Sequence, residues 1–96
     1  MEPTEDEKWL VVDGRRWRRT DPAIPEAELA RLQSHLGRGR SGVRTAADET
    51  ELAATRHRTQ LAKTGLGERG TPWWEQTDDE RRERWESALA DLDALD

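Results

Sequence analysis

Residues 62–74 read Ala62-Lys63-Thr64-Gly65-Leu66-Gly67-Glu68-Arg69-Gly70-Thr71-Pro72-Trp73-Trp74. This stretch decides the fold. It holds three of the seven glycines and two of the five tryptophans. One helical pattern runs into it and another begins just beyond it, so its glycines bend the chain and return Trp73 and Trp74 to the body of the domain. Gly65, Gly67 and Gly70 satisfy the spacing of a dinucleotide-binding fingerprint. That fingerprint needs a strand before it and a helix opening on its last glycine, where amide N–H groups meet a pyrophosphate. Here a helix precedes and Thr71-Pro72 follows, so the stretch reads as a glycine-terminated helix and a turn. Lys63 and Arg69 beside it are candidates for holding a single anion.

Working outward, the composition makes the tryptophans decisive. Charged residues make up 39% of the 96 residues and hydrophobic ones 32%, with no Phe and no Tyr. That balance leans toward disorder. A buried indole removes roughly 150–250 Å² from water, about 4–6 kcal/mol at ~25 cal/mol per Å². Trp17, Trp73, Trp74 and Trp85 are therefore expected in the structural core.

On the N-terminal side, residues 1–7 carry four acids and no base and are expected to be a disordered acidic tail. One small domain is expected over residues 8–96. Trp9-Leu10-Val11-Val12, Asp13-Gly14 and Arg15-Arg16-Trp17-Arg18 predict a β-hairpin over 9–18, because a type I′ turn needs positive φ at both central residues. The register pairs Trp9 with Arg18 and predicts a cation–π contact between them. Leu10, Val12 and Trp17 share one face, which is expected to rest on helices because a lone hairpin is unstable in water.

A helix is predicted over 25–45, opening at Pro25 with Glu26 and Glu28 at its positive end. Its seam is Leu29, Leu32, Leu36, Gly39 and Val43. Gly37, Gly39 and Gly42 each weaken it by about 1 kcal/mol, and a helix ending at Gly37 with a loop to Ala47 is the alternative. A second helix is predicted over 48–65, capped at Asp48, with seam Leu52, Thr55, Thr59, Ala62 and Leu66. The two form an antiparallel helical hairpin. After the Gly/Trp turn at 65–76, a capping box at Thr77 and Glu80 starts a helix over 78–94, with Trp85, Ala88, Leu89, Leu92 and Leu95 inward. The expected fold is α+β and mostly helical: a two-stranded hairpin packed on a helical hairpin plus a C-terminal helix.

Functional classes narrow by chemistry. The absence of cysteine excludes disulfides and thiolate metal sites. Neither His35 nor His57 belongs to a metal-ligand spacing, and both read as solvated or seam-edge residues; no metal or cofactor is expected. The acidic start, and the lack of any apolar run near ~20 residues, point to a soluble cytoplasmic protein with no membrane partner. No nucleophile motif or paired carboxylates in an apolar setting are legible, so no catalytic residue is expected and the chain reads as a non-enzyme.

The net charge of −5 conceals a basic middle. Residues 8–69 carry thirteen bases against eight acids, whereas residues 70–96 carry three against nine. Arg15, Arg16, Arg18, Arg38, Arg40, Arg44, Lys63 and Arg69 are the candidate residues for binding an anion or a partner.

Gly14-Arg15-Arg16-Trp17-Arg18, Thr20-Asp21-Pro22, Ile24-Pro25, Ala62-Lys63, Leu66-Gly67-Glu68-Arg69-Gly70 and Pro72-Trp73-Trp74 together resemble a family of small bacterial proteins, some of whose members bear the label biopolymer transporter Tol. The resemblance spans most of residues 9–75 and implies no activity, catalytic residue or ligand. The expectation is an interaction domain that engages a protein partner or a second copy of itself through Trp and Arg. A nucleic-acid-binding module using the Arg-rich face is the alternative.

Overall fold

Asp13 and Gly14 take positive φ, 52° and 76°, as a type I′ turn requires. In the computed structural model, which describes residues 2–96, they join β1 (Trp9–Val12) to β2 (Arg15–Arg18). The register is the one the two-residue turn dictates: Trp9 opposite Arg18, Leu10 opposite Trp17, Val11 opposite Arg16 and Val12 opposite Arg15. A short helix precedes it, α1 (Glu5–Lys8), with a capping box between Thr4 and Glu7. This corrects the expected disordered tail over residues 5–7, where local capping gives Glu5, Asp6 and Glu7 a turn of helix. Met1 lies outside the described residues.

Three longer helices follow: α2 (Glu26–Thr45), α3 (Glu49–Leu66) and α4 (Asp78–Ala94). Asp48 caps α3 by accepting from the Glu51 N–H, and Thr77 and Glu80 form the capping box of α4. Gly67 ends α3 in the left-handed conformation, φ 84°, and its N–H bonds back to Lys63 and Thr64. A single 3₁₀ turn, Trp73–Glu75, lies between α3 and α4.

The helix α2 runs unbroken through Gly37, Gly39 and Gly42, and close packing accounts for the last two. A Cβ on Gly42 would meet the Thr55 side chain at 2.6 Å, and one on Gly65 would meet Leu32 at 2.6 Å and Ala88 at 2.8 Å. The intrinsic cost of those glycines is offset by letting α2, α3 and α4 approach where a side chain would hold them apart. Leu32, Leu66 and Leu92, one from each long helix, are exposed by 1% or less. Ile24, Leu36, Ala62, Trp85, Ala88 and Leu89 complete the cluster.

Aliphatics from the predicted seams fill most of this interior, and the expectation that Trp17 and Trp74 belong to the core needs correction. Trp85 belongs to the cluster and Trp73 is 2% exposed beside it. Trp74 is only partly buried, and Trp17 is 46% exposed. The Trp9–Arg18 contact is also replaced. Arg16 lies over Trp9 at 4.2 Å and Arg18 over Trp74 at 5.7 Å.

Beneath the Gly/Trp turn lies a buried ion cluster. Asp21 is 1% exposed. Its carboxylate accepts from Arg81, through Nε at 2.9 Å and through a second guanidinium nitrogen, and from Arg84 at 2.6 Å. It also accepts from the Ala23 N–H at 2.8 Å, while its own N–H donates to the Leu66 carbonyl. Burial alone would raise the Asp21 pKa, but the hydrogen bonds from Arg81, Arg84 and Ala23 outweigh it and hold the group below its ordinary 3.8.

Two outcomes follow from this packing. Gly65→Ala is expected to cost about 1–3 kcal/mol by overpacking, while Gly37→Ala, with nothing within 4 Å of its added Cβ, gains about 0.5–1 kcal/mol from helix propensity; urea melts read both signs. The Asp21 pKa is depressed by folding, so its stabilisation is present above the unfolded value of about 3.9 and is lost as pH falls through the lower folded value. Unfolding midpoints measured from pH ~7 down to ~2 should fall on the acid side, and a flat profile contradicts the assignment.

Candidate functional site

Not all sixteen basic residues are available to a ligand. Among the described residues, Lys8, Arg16, Arg31, Arg38, Arg58, Arg81, Arg82 and Arg84 pair with carboxylates. Arg38 and Arg58 both clamp Asp96. The hydrogen bonds from these two guanidinium groups hold that carboxyl far below the usual range. Arg58 also donates to His35 Nδ1 at 2.8 Å, and His35 Nε2 faces Asp93 at 3.4 Å. At 6% exposure, His35 is a buried part of this clasp, which corrects its reading as a solvated or seam-edge residue. The signal was present in the sequence, since His35 follows Leu32 by three positions on the inward stripe of α2.

The remaining basic residues are Arg15, Arg18, Arg19, Arg40, Arg44, Arg56, Lys63 and Arg69, and five of these eight converge. A groove of about 660 Å³ opens between the hairpin and the α2–α3 pair. Leu10, Val12 and Trp17 form one wall; Arg40 from α2, Lys63 from α3 and Glu68 form the other, with Arg18, Arg19 and Thr20 at the base. A second cavity of about 270 Å³ takes in Trp9, Arg16 and Arg69 and shares Trp17, Arg18, Lys63 and Glu68 with the first. Glu68 is the one carboxylate lining either space, and it accepts from the Thr20 hydroxyl at 2.8 Å. Burial lowers the Lys63 pKa, and the positive charges of Arg69 and Arg40 lower it further against the opposing pull of Glu68. The positive field is thus concentrated where α3 ends.

The groove exists because the hairpin is anchored at one end rather than laid flat. Trp74 meets Trp9 and Trp73 edge-on, with centroids 5.4 and 5.1 Å apart. Trp73 Nε1 donates to the Arg19 carbonyl at 3.0 Å, and Arg18 donates to the Gly70 carbonyl at 2.9 Å. The Leu10, Val12 and Trp17 face was expected to lie on helices, yet these residues are 43%, 45% and 46% exposed. Closing it onto α2 and α3 would strip water from Arg40 and Lys63 with the single carboxylate of Glu68 nearby to offset the two charges.

Of the eight residues singled out from sequence, Arg18, Arg40, Lys63 and Arg69 come together in this concave surface. Arg16 joins its edge while paired with Glu5. Arg15 stacks on Trp17 at 5.6 Å. Arg38 is turned to Asp96, and Arg44 lies in the last turn of α2, outside both cavities. Arg19, at the end of the hairpin beside the residues singled out, also lines the groove, and its Nε donates to the carbonyls of Asp6 and Trp9.

No helix among the described residues is long and apolar enough to cross a membrane. Compared with known proteins, the chain matches no family model, no curated protein and no solved structure, so its site is read from geometry alone.

Proposed function

We propose that this chain is a non-enzymatic interaction domain that binds a protein partner through the groove between the hairpin and the α2–α3 pair. It acts in the cytoplasm, away from membranes. The observation that carries this reading is the meeting of an exposed apolar face, Leu10, Val12 and Trp17, with cations that have no carboxylate partner. Tryptophan and arginine at the centre of a concave surface are the residue types that concentrate binding energy. The apolar wall supplies affinity, and the cations select for negative charge.

Nucleic acid is the second reading, favoured by the same unpaired cations around an exposed indole. It is weakened by the loss of Arg38 to Asp96 and by a chain whose net charge is −5.

The test compares wild type, a Trp17→Ala/Lys63→Glu variant and an Arg44→Glu control as immobilised bait in cell extract, with bound proteins identified by mass spectrometry. A partner held by wild type and control, and reduced at least about tenfold by the groove variant, is the expected result. Equal retention by all three overturns it. Mixed-sequence DNA and RNA are titrated in parallel at rising salt; tight binding that falls steeply with salt would transfer the groove to nucleic acid.

A further inference from the structure

The edge of β2 is an unused hydrogen-bonding surface. Across a two-residue type I′ turn, Val12 and Arg15 form a hydrogen-bonded pair, and bonded pairs then alternate with non-bonded ones. Leu10 and Trp17 are the next bonded pair, and the Arg19 N–H donating to the Lys8 carbonyl at 2.8 Å continues the series. Arg16 and Arg18 consequently turn their main-chain N–H and C=O groups outward from the ladder. No turn or cap hydrogen bond between main-chain groups of the described residues reaches them. On the opposite edge, the Trp9 carbonyl already accepts from Arg19 Nε at 3.2 Å. The β1 edge is thus partly taken up, whereas the edge of β2 is open at both Arg16 and Arg18.

This edge runs between the two cavities. Side chains alternate across a strand: Arg16 lines only the smaller polar space, while Trp17 joins Leu10 and Val12 on the larger apolar one and also borders the smaller. Both spaces end against Lys63 and Glu68 of the facing wall. We propose that the groove takes an extended, acidic segment of another protein, which adds to β2 as a third strand. Its alternate side chains enter the two cavities, apolar ones against Trp17 and carboxylates toward Lys63 and Arg69. This rests on the protein-partner reading above and specifies how the partner is held.

A third strand suits the physics of the hairpin. Two strands are marginal by themselves, and a third completes a sheet with main-chain bonds while the pockets supply selectivity. Positive charge selects an acidic strand. It also disfavours a second copy of this chain, because antiparallel pairing of β2 with itself sets Arg15, Arg16 and Arg18 against the same arginines.

The experiment uses the full chain and a short fluorescein-labelled peptide of alternating valine and glutamate, read by anisotropy. Saturable binding is expected, weaker by at least about tenfold for the valine–lysine counterpart and for a valine–glutamate peptide N-methylated at alternate residues. Lys63→Glu/Arg69→Glu should weaken the first peptide by a similar factor, with circular dichroism confirming the fold. Equal affinity for the N-methylated peptide overturns strand addition, and equal affinity for the lysine peptide overturns the acidic preference. No binding of the valine–glutamate peptide at millimolar concentration removes the inference, while the broader reading stands or falls separately on the bait comparison. Preference for a thymidine oligonucleotide, or sedimentation showing concentration-dependent dimers lost in Arg16→Glu, would overturn it in favour of those occupants.

Discussion

One buried carboxylate constrains nearly everything else. Asp21 sits at 1% exposure where the segment leaving the hairpin, the end of α3 and the first turns of α4 meet. An isolated ionised carboxylate there would be costly by many kcal/mol. It is tolerable because Arg81, Arg84 and the Ala23 N–H surround it. Arg84 carries the network further, donating to the Gly65 carbonyl at 3.2 Å and the Gln76 side chain at 2.6 Å. Arg81 lies 5.2 Å from the centre of the Trp73 ring. Gly67 is glycine for two reasons at this point: its φ is 84°, and a Cβ would meet Asp21 at 3.1 Å and Trp73 at 3.2 Å.

This cluster also explains the groove. By fixing Asp21 against Leu66, it places Thr20 beside Glu68 and the Arg19 carbonyl beneath Trp73. The hairpin is then held at its open end, through Trp73, Trp74, Arg18 and Arg19, while its turn projects. An apolar face supported in this way stands off from Arg40 and Lys63 and leaves the space between them for a ligand.

Local signals in the sequence were reliable. Asp13-Gly14 gave the hairpin its register, and Asp48, Gly67 and Thr77 marked helix ends, because each works through bonds to near neighbours. The inward stripes of α2, α3 and α4 were legible from spacing except at the C-terminal ends of α2 and α4, where Val43 and Leu95, expected inward, are exposed because no neighbouring helix covers them. Pairings between distant residues were not. Nothing near Asp21 announces that Arg81 and Arg84, some sixty residues on, will neutralise it. Nor does an arginine-rich composition separate Arg38, held by Asp96, from Arg40, which is free of any carboxylate among the described residues. Trp17 misled for a related reason: strand alternation shows which residues share a face, but not whether that face is covered. The burial of His35 was legible from its place on the stripe of α2, but its partners, Arg58 and Asp93, lie on other helices and were not.

The central claim is that the Asp21 cluster locks hairpin, turn and α4 together. Urea unfolding of Asp21→Asn at neutral pH tests it most directly, since Asn nearly preserves the shape and removes the charge. Stranding two largely buried guanidinium groups should cost about 3–5 kcal/mol, with the summed tryptophan emission shifting to the red as the shelter of Trp73 loosens. A loss below ~1 kcal/mol, the range of an ordinary surface ion pair, with unchanged emission would contradict the account.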